Sequence, residues 1–439
     1  MSKGANSHSG LQARRQAVQI LSNVLDKKQS LSDALESPGL RGLEARDRAF
    51  AHAIAAVTLR RKGQIEHVLK KFLKRPPPAK AGIAKHILAS AAAQLLFLEI
   101  APHAAIDLAV RLANSDRKAR PLKGLINAVL RRVSEQGADI VKTQDAAGLN
   151  TPKWLLKRWQ ATYGNETAHA IASAHLSEAA LDITIKSDPE HWAEQLGGQI
   201  IGAGSIRLEN PGPVHKLPGF NEGEWWVQDM AASLPARLLA DVSGKTIFDL
   251  CAAPGGKTAQ LASAGANIIA VDYAKQRLAR LQENLTRLGL SAQLEHSDVF
   301  NFKPDEKADM ILLDAPCSAT GTIRRHPDIP YLKSAKMIAE LAELQTKLIA
   351  HALSILKPGG ILIYCTCSLE PEEGEQQIEA ALENHPLTRI PIQPDEVGGL
   401  TLIINAHGDL RSLPHHTSRL DPVITGMDGF FATRLKYQP

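Results

Sequence analysis

Apolar residues recur at the spacing of an amphipathic helix from Leu11 to about Val133. An example near the start of this region is the set Ala17, Val18, Leu21, Val24 and Leu25. Turn-forming and helix-breaking residues interrupt the pattern at 37–39, 75–78 and 115–121. The pattern therefore predicts an all-α N-terminal bundle.

The pattern changes between about residues 150 and 240. Trp154 and Trp159 lie near the start of this region, and short apolar runs such as 181–185 and 206–208 follow, separated by Gly and Pro. Short apolar runs between turn residues are typical of strands. We therefore expect a small mixed α/β region after the helical bundle.

From Lys245 onward, short apolar runs alternate with longer amphipathic segments, which is typical of a parallel sheet with crossover helices. The predicted strands are Thr246–Leu250, Ile268–Asp272, Gln293–His296, Met310–Asp314 and Ile361–Tyr364. The predicted helices are Lys257–Ala264, Ala274–Leu288, Ser334–Leu356 and Glu372–Glu383. The final run, MDGFFATRLKY, alternates like an edge strand. Together these elements predict a doubly wound, Rossmann-like sheet, whose ligands bind at the carboxyl ends of the strands.

The predicted organisation is multidomain, with a helical domain over 1–140, a small α/β region over 141–240 and the doubly wound domain over 241–439. Charge is divided along the chain as well. Residues 1–140 contain 24 Lys and Arg against 11 Asp and Glu, a net charge of +13, whereas the remainder carries −8. A basic domain fused to an acidic one favours binding of a polyanion such as RNA. A solvated, Lys/Arg-rich bundle remains an alternative.

All four cysteines, Cys251, Cys317, Cys365 and Cys367, lie in the C-terminal half, which does not suit a disulfide framework. The N-terminal MSKGANSHSG lacks the apolar core of a secretory signal. The most apolar stretch, 83–100, is interrupted by polar and charged residues and does not suit a membrane span. We therefore expect a cytoplasmic protein without a membrane partner and with reduced, reactive thiols.

The first strand of the doubly wound domain leads into the loop DLCAAPGGKT, residues 249–258. Its small residues let a ligand approach the backbone and the following helix N-terminus. A phosphate-binding P-loop would need glycine at the position of Cys251, and the dinucleotide pattern G-x-G-x-x-G is absent. The remaining candidate ligand is a nucleoside without a pyrophosphate. Asp272 and Asp298 follow the next two strands and suit a ribose and an adenine, so the sequence predicts S-adenosylmethionine, although Asp272 alone could be a helix cap.

The fourth and fifth strands lead into Asp314-Ala315-Pro316-Cys317 and Thr366-Cys367-Ser368, so Asp314, Cys317 and Cys367 are expected at the same rim. Two thiols and a carboxyl group beside a methyl donor suit methylation of cytosine C5, because thiolate addition at C6 makes C5 nucleophilic. A carboxyl group at N3 would stabilise the adduct, and a second thiol would assist release. The residues alone do not decide which thiol attacks.

The other polar residues of these loops have simpler explanations. Cys251 and Cys365 are expected to be small buried hydrophobes. The spacing of cysteines and histidines does not suit a zinc site, and no metal is expected. Arg324 and Arg325 could be solvated, but beside an RNA-modifying site we expect contacts with phosphates or bases. His326 is expected to support its loop.

These motifs resemble the NOL1/NOP2/Sun family of RNA cytosine-C5 methyltransferases. The matching strings are CAAPGGKT, DAPCSATGTIRRHPDI, TCSLEPEE, WVQDMAAS and DGFFATRL, in the family's order. ARRQAVQILSNVL and GLINAVLRRV in the N-terminal region resemble the NusB-like RNA-binding fold. The resemblance covers nearly the whole chain and implies 16S ribosomal RNA as the substrate. We expect a monomer that acts on unassembled or partly assembled RNA.

The resemblance also implies residue roles. It makes Cys367 the nucleophile and Cys317 the residue that promotes product release, while the chemistry of the adduct suits Asp314 as the group that stabilises the base. It assigns cofactor binding to Cys251, Ala252, Ala253, Pro254, Gly255, Gly256, Lys257, Asp272, Asp298 and Asp314. The implied cofactor is S-adenosylmethionine, and Lys257 is also expected to reach the cytidine.

Two positions depart from the family's pattern: Cys365 stands where a small residue such as Ala is expected, and Tyr331 where Trp is expected. Three other functions remain as alternatives. A transfer RNA substrate is the nearest, followed by a DNA cytosine-C5 methyltransferase, which would use the Pro-Cys thiol as nucleophile. The third is a NusB-like RNA-binding factor without catalysis, which the presence of Asp314, Cys317 and Cys367 disfavours.

Overall fold

The computed structural model describes residues 2–209, 211–416 and 426–439. Its contacts divide the chain into two compact units. The first, here called the helical unit, contains the residues up to Ser177 together with Arg325–Lys333. The second, the sheet unit, contains Glu178–Arg324 and Ser334–Pro439. Within the described ranges, none of the helices combines the length and apolarity that a membrane span needs.

The helical unit is built from amphipathic helices that bury their apolar faces against one another. Its helices are α1 (Ser2–Leu25), α2 (Leu31–Leu35), α3 (Pro38–Arg41), α4 (Ala45–Arg60), α5 (Lys62–Phe72), α6 (Ala84–Phe97), α7 (Pro102–Ser115), α8 (Lys123–Lys142), α9 (Ala146–Asn150) and α10 (Lys153–Ala174). The predicted breaks at 75–78 and 115–121 lie between helices, whereas α3 begins inside the break at 37–39, with Pro38 in its first turn.

The segment Arg325–Lys333 lies in the helical unit although both its neighbours in sequence belong to the sheet unit. It contains the short helix α15 (Ile329–Leu332). Asp328 Oδ2 accepts a hydrogen bond from the backbone N–H of Leu31, at 2.8 Å, and Tyr331 donates its hydroxyl to the carbonyl of Leu59, at 2.9 Å. The chain therefore crosses between the units directly after the Pro-Cys loop and returns nine residues later.

The first part of the sheet unit is a small antiparallel sheet with the strand order β2-β3-β1-β4. Its strands are β1 (Leu181–Ile185), β2 (Gln199–Ile201), β3 (Ser205–Leu208) and β4 (Trp225–Val227), and its helices are α11 (Pro189–Leu196) and α12 (Met230–Arg237). A buried bidentate ion pair between Arg207 and Asp182 joins β3 to β1. This arrangement is the mixed α/β region that the sequence predicted.

The larger sheet has the order β10-β12-β9-β8-β5-β6-β7. Its strands are β5 (Thr246–Leu250), β6 (Asn267–Asp272), β7 (Gln293–His296), β8 (Ala308–Asp314), β9 (Leu356–Thr366), β10 (Leu387–Arg389), β11 (Leu410–Ser412), which pairs with β12, and β12 (Phe430–Tyr437). The helices are α13 (Gly256–Ser263), α14 (Lys275–Leu288), α16 (Ala335–Ser354) and α17 (Glu375–Asn384). Strands β5 to β9 are parallel, and the order reverses between β5 and β8. The crevice expected to bind ligands therefore lies beyond the ends of β5 and β8.

The prediction that the final run is an edge strand is wrong. Strand β12 pairs with β9 on one side and with β10 and β11 on the other, all antiparallel. The alternation of apolar and polar residues shows only that the segment is a strand with one buried face. The outer partners contain three residues each, too few to give a periodic signal of their own.

Candidate active site

The loop after β5 is shaped for close approach of a ligand to its backbone. Gly255, the residue that precedes α13, has φ +99°, and a Cβ placed on it would lie 2.6 Å from the Leu281 side chain. Cys251 also has a positive φ, +62°. Ala252 and Ala253 add only methyl groups, and both are buried. The loop therefore leads directly to the N-terminus of α13, which favours negatively charged groups such as a carboxylate.

Asp272 and Asp298 lie at the same rim, as their strand-end positions predicted. Asp272 is buried, and its two carboxylate oxygens accept hydrogen bonds from the backbone N–H groups of Ala253, at 3.1 Å, and Ala274, at 2.9 Å. It therefore joins the loop to the end of β6 and also fixes the turn before α14, whose N-cap residue, Ala274, provides no side-chain cap. Oδ2 also lies 3.3 Å from the Arg277 guanidinium, whereas Oδ1 retains a further lone pair for a ligand hydroxyl. Asp298 is exposed and accepts a hydrogen bond from the N–H of Phe300.

Asp249, the penultimate residue of β5, carries a buried carboxyl group that sequence reasoning did not single out. Thr258 donates its hydroxyl to Oδ2 at 2.6 Å, while Oδ1 has no hydrogen-bond partner among the described residues. Burial raises the pKa of Asp249 to about 7. An incompletely compensated buried carboxyl group beside this loop fits a cationic ligand, and S-adenosylmethionine carries both an ammonium and a sulfonium charge.

Lys257 and Asp314 form an ion pair of 2.7 Å between Nζ and Oδ2. Burial lowers the pKa of Lys257, but the charge of Asp314 outweighs this effect and raises the pKa well above its ordinary value. The ammonium group also lies 4.9 Å from the centre of the Phe430 ring, a cation–π contact. Lys257 therefore stays charged and fixes the orientation of the Asp314 carboxylate.

Cys317 and Cys367 come together at the ends of β8 and β9, with 3.5 Å between their sulfur atoms. The parallel register pairs Asp314 with Cys365, so both loops leave the sheet at the same level. Gly321 then donates its backbone N–H to the carbonyl of Cys367, at 3.0 Å. The hydrogen bond to Cys367, and then burial, raise the pKa of Cys317 well above its ordinary value. The two thiols therefore share a contact in which either sulfur can be the donor.

The other two thiols lie in surroundings that suppress ionisation. Cys365 is fully buried, and burial raises its pKa well above the ordinary value. Its sulfur lies 3.6 Å from Asp314 Oδ1, to which the thiol donates. Burial also raises the pKa of Cys251. Neither environment favours the thiolate that a nucleophile needs.

The expected contact of Arg324 with RNA is not supported. Its side chain is 3% exposed and lies 3.4 Å from Asp428 and 3.8 Å from Asp229. The guanidinium therefore joins loops inside the sheet unit instead of facing solvent. The motif could not reveal this, because the acidic partners are distant in sequence. Arg325 belongs to the segment that lies in the helical unit.

Sequence reasoning also missed Glu373 and Phe430. Glu373 is fully buried behind the two cysteine loops, and Phe430 packs under Lys257. Glu373 lies among Glu370, Glu372 and Glu375, a run typical of a solvated helix start. Phe430 lies inside DGFFATRL, where the family resemblance was the available signal.

A doubly wound sheet, a small-residue loop after its first strand and carboxylates at the following strand ends define a Rossmann-like, S-adenosylmethionine-dependent methyltransferase. The family model described as 16S rRNA methyltransferase RsmB/F matches residues 236–436, and the NusB family model matches 11–135. Ribosomal RNA small subunit methyltransferase B of Salmonella arizonae is 38% identical over 85% of this chain and 90% of that relative. Its counterpart in Salmonella newport is 37% identical over 90% of this chain and 96% of the relative.

Solved structures agree with this assignment. A methyltransferase homologue from Pyrococcus horikoshii is 28% identical and covers 64% of this chain and 93% of its own, with a TM-score of 0.53. The crystal structure of PH0851, at 23% identity, covers 97% of this chain and 98% of its own, with a TM-score of 0.76, and supports the fold. The chain belongs to the 16S rRNA methyltransferase RsmB/F family and carries an N-terminal NusB domain. The predicted family, fold class and cofactor are thereby confirmed.

Proposed function

We propose that this enzyme methylates C5 of a specific cytosine in 16S ribosomal RNA through a covalent bond between Cys367 and C6 of the base. The observation that carries the proposal is the 3.5 Å separation of the Cys317 and Cys367 sulfur atoms. Asp314 ends the neighbouring strand, with its carboxylate held by Lys257. Two thiols and an oriented carboxylate beside a methyl-donor loop are the groups that this chemistry needs.

The reaction begins when the Cys367 thiolate attacks C6, which forms the Sγ–C6 bond and moves the electron pair of the C5=C6 bond towards C5. S-adenosylmethionine supplies the methyl group that C5 then takes. A proton passed from the Asp314 carboxyl group to N3 of the base neutralises the negative charge of the adduct. The C5 proton passes to solvent water, and its electron pair restores the C5=C6 bond and expels the Cys367 thiolate. Cys317, next to the leaving sulfur, promotes this last step.

The cofactor is assigned to residues 251–257 and to the carboxylates beside them. Asp272 would hold the ribose, Asp298 the adenine and Asp314 the methionine end near the transferred methyl group. Among the described residues, no group of three or more His, Cys, Asp or Glu side chains could hold a metal ion. The buried Asp249 carboxyl group lies beside this loop, where the positive charge of a cationic donor would favour its ionised form.

Two cysteine variants test the covalent mechanism. Cys367→Ala is expected to reduce methyl transfer to background while retaining cofactor binding. Cys317→Ala is expected to accumulate a protein–RNA complex that survives a denaturing gel, because release fails after attack. Cys365→Ala is the matched control and should retain most of the turnover without accumulating the complex. Turnover by Cys367→Ala would reject the nucleophile, and loss of methylation without a complex in Cys317→Ala would reject the release role.

The RNA substrate is tested separately, by bisulfite sequencing of RNA from cells with and without this protein. The expected result is loss of one 5-methylcytosine from 16S ribosomal RNA. A loss confined to transfer RNA would overturn the substrate assignment and leave the mechanism in place.

A further inference from the structure

Glu373 is a fully buried carboxylate in the sheet unit, in the short 3-10 helix that follows β9. Its side chain accepts hydrogen bonds from neutral donors belonging to Ser318, Ser368 and Gln345. Burial raises its pKa above the ordinary value, a shift that these hydrogen bonds oppose. A buried carboxylate is costly unless its lone pairs are satisfied, so its arrangement of donors calls for an explanation.

The donors to Glu373 come from the residues that directly follow the two central cysteines. Oε1 accepts the backbone N–H of Ser318 at 2.8 Å, and Oε2 accepts the Ser368 hydroxyl at 2.6 Å. The Ser318 hydroxyl also donates to Oε2. Ser318 follows Cys317, and Ser368 follows Cys367. One carboxylate thereby holds both cysteine loops.

Further contacts fix the same two loops to Glu373. Gln345 donates from Nε2 both to Oε1 of Glu373, at 3.2 Å, and to the carbonyl of Pro316, at 2.8 Å. The Glu373 carbonyl accepts the hydroxyl groups of Tyr364, at 2.8 Å, and Thr366, at 3.2 Å. Pro316, which precedes Cys317, is therefore linked to Glu373 through Gln345, and Thr366, which precedes Cys367, is linked to Glu373 directly.

The chemistry of the side chain suits this task. An ionised carboxylate is an acceptor only, with about four lone-pair sites, and it can accept from both loops at once. A glutamine of the same shape would place an NH₂ group against hydroxyl or N–H donors. It would therefore keep the volume of the side chain but lose acceptors on one arm.

We propose that Glu373 is a positioning residue that holds the Cys317 and Cys367 loops at the separation the methylation reaction requires. This inference rests on the proposed function, because it assumes that both thiols act on one base. Glu373 does not touch the base or the cofactor. It acts by keeping the releasing thiol beside the attacking one, so that adduct formation and release use a single geometry.

The test compares Glu373→Gln with wild type in two independent measurements. The first is the kcat and KM of methyl transfer to 16S ribosomal RNA. The second is the rate at which diamide closes a Cys317–Cys367 disulfide, followed by peptide mass spectrometry. Each disulfide formed passes two hydrogen atoms to the diamide N=N bond. The disulfide rate depends on the distance between the thiols and on their thiolate fraction, which loss of the Glu373 charge would raise, and it does not depend on RNA. Slower closure in Glu373→Gln can therefore come only from a larger separation or a changed orientation of the thiols.

We expect Glu373→Gln to lower kcat at least tenfold, with KM within twofold of wild type, and to slow disulfide closure at least tenfold. Ser368→Ala, which removes one arm without placing a donor against the carboxylate, should show the same pattern more weakly. It keeps the test usable if Glu373→Gln fails to fold. Asp409→Asn is the matched control, because Asp409 is also a buried carboxyl group that accepts a hydroxyl, from Thr433. In Asp409→Asn, both the kcat of methyl transfer and the rate of disulfide closure should stay within twofold of wild type.

An unchanged disulfide rate in Glu373→Gln would overturn the positioning role, whether or not kcat falls. A slower disulfide rate with unchanged kcat would overturn its importance for the reaction. Failure of the proposed function looks different. In that case wild type closes the disulfide rapidly, but Cys367→Ala retains methyl transfer.

Discussion

Asp249 differs from the neighbouring carboxylates in how its charge is compensated. Asp314 forms an ion pair with Lys257, and Asp272 accepts hydrogen bonds from two backbone N–H groups. Asp249 accepts a hydrogen bond from the Thr258 hydroxyl group. Burial therefore raises its pKa to about 7, against roughly 3.9 for an aspartate in an unfolded chain. The folded protein holds the proton more tightly than the unfolded chain between these two values. The stabilisation that this carboxyl group contributes to the folded state is fully present below about pH 4 and is lost as the pH rises towards 7.

We predict that Asp249→Asn removes this part of the pH dependence. The free energy of unfolding of wild type should fall relative to the variant by up to about 4 kcal/mol between pH 4 and pH 8. Urea unfolding of both proteins across this range, without cofactor, measures the difference. A constant difference at all pH values would show that Asp249 titrates near its ordinary pKa when folded.

Residues of the candidate site were predictable where strand ends placed them. Asp314, Cys317 and Cys367 follow parallel neighbouring strands, which end at one edge of a sheet, and they do lie together. Glu373 was not predictable, because its function depends on what surrounds it in three dimensions and not on spacing. The catalytic roles themselves stay predictions.

At the level of elements, the loop between β5 and α13 depends on one glycine. Gly255 has a positive φ and no space for a Cβ beside Leu281. We predict that Gly255→Ala lowers the free energy of unfolding by about 2 to 4 kcal/mol, through backbone strain and the steric clash. It should also weaken S-adenosylmethionine binding, because the loop is displaced. Urea unfolding and calorimetry measure the two effects.

The matched control is Gly289→Ala at the end of α14. Gly289 also has a positive φ, +62°, but nothing lies within 4 Å of the added Cβ. Its cost should be about 1 kcal/mol, with unchanged cofactor affinity. Equal effects of the two substitutions would mean that the conformation, and not the contact with Leu281, determines the cost.

Elements with their own periodic signal were the ones the sequence predicted well. Strands β5 and β7 have the predicted bounds, and β6 and β8 begin one and two residues early. The position of β12 within the sheet was missed because strand order is set by tertiary pairing. The sequence pattern identifies a strand but does not determine with which strands it pairs.

At the scale of the whole molecule, contiguous domains were expected, and the compact units are discontinuous. The segment Arg325–Lys333 crosses into the helical unit immediately after Arg324, which is fixed by ion pairs in the sheet unit. Composition gives no indication of such a crossing in a segment this short. It depends on specific contacts, such as those of Asp328 and Tyr331.

Charge asymmetry leads to a prediction about RNA binding. The helical unit has a groove of about 830 Å³, whose lining includes Arg111, Lys123 and Arg131. Lys123 and Arg131 are exposed two turns apart on α8. If they contact phosphates, Lys123→Glu combined with Arg131→Glu should reduce the slope of log K against log salt concentration by roughly 1.5 to 2. Affinity for 16S ribosomal RNA, measured by filter binding over a salt series, should fall about tenfold or more.

The control must reverse the same number of charges away from the proposed RNA surface. Lys303 and Lys307 are exposed and precede the amino-terminal end of β8, whereas Asp314 lies at its carboxyl end. Lys303→Glu combined with Lys307→Glu should therefore lower affinity only slightly and leave the slope near that of wild type. A general effect of net charge would reduce affinity equally in both double variants. Equal slopes in all three proteins would show that Lys123 and Arg131 do not release counterions on RNA binding.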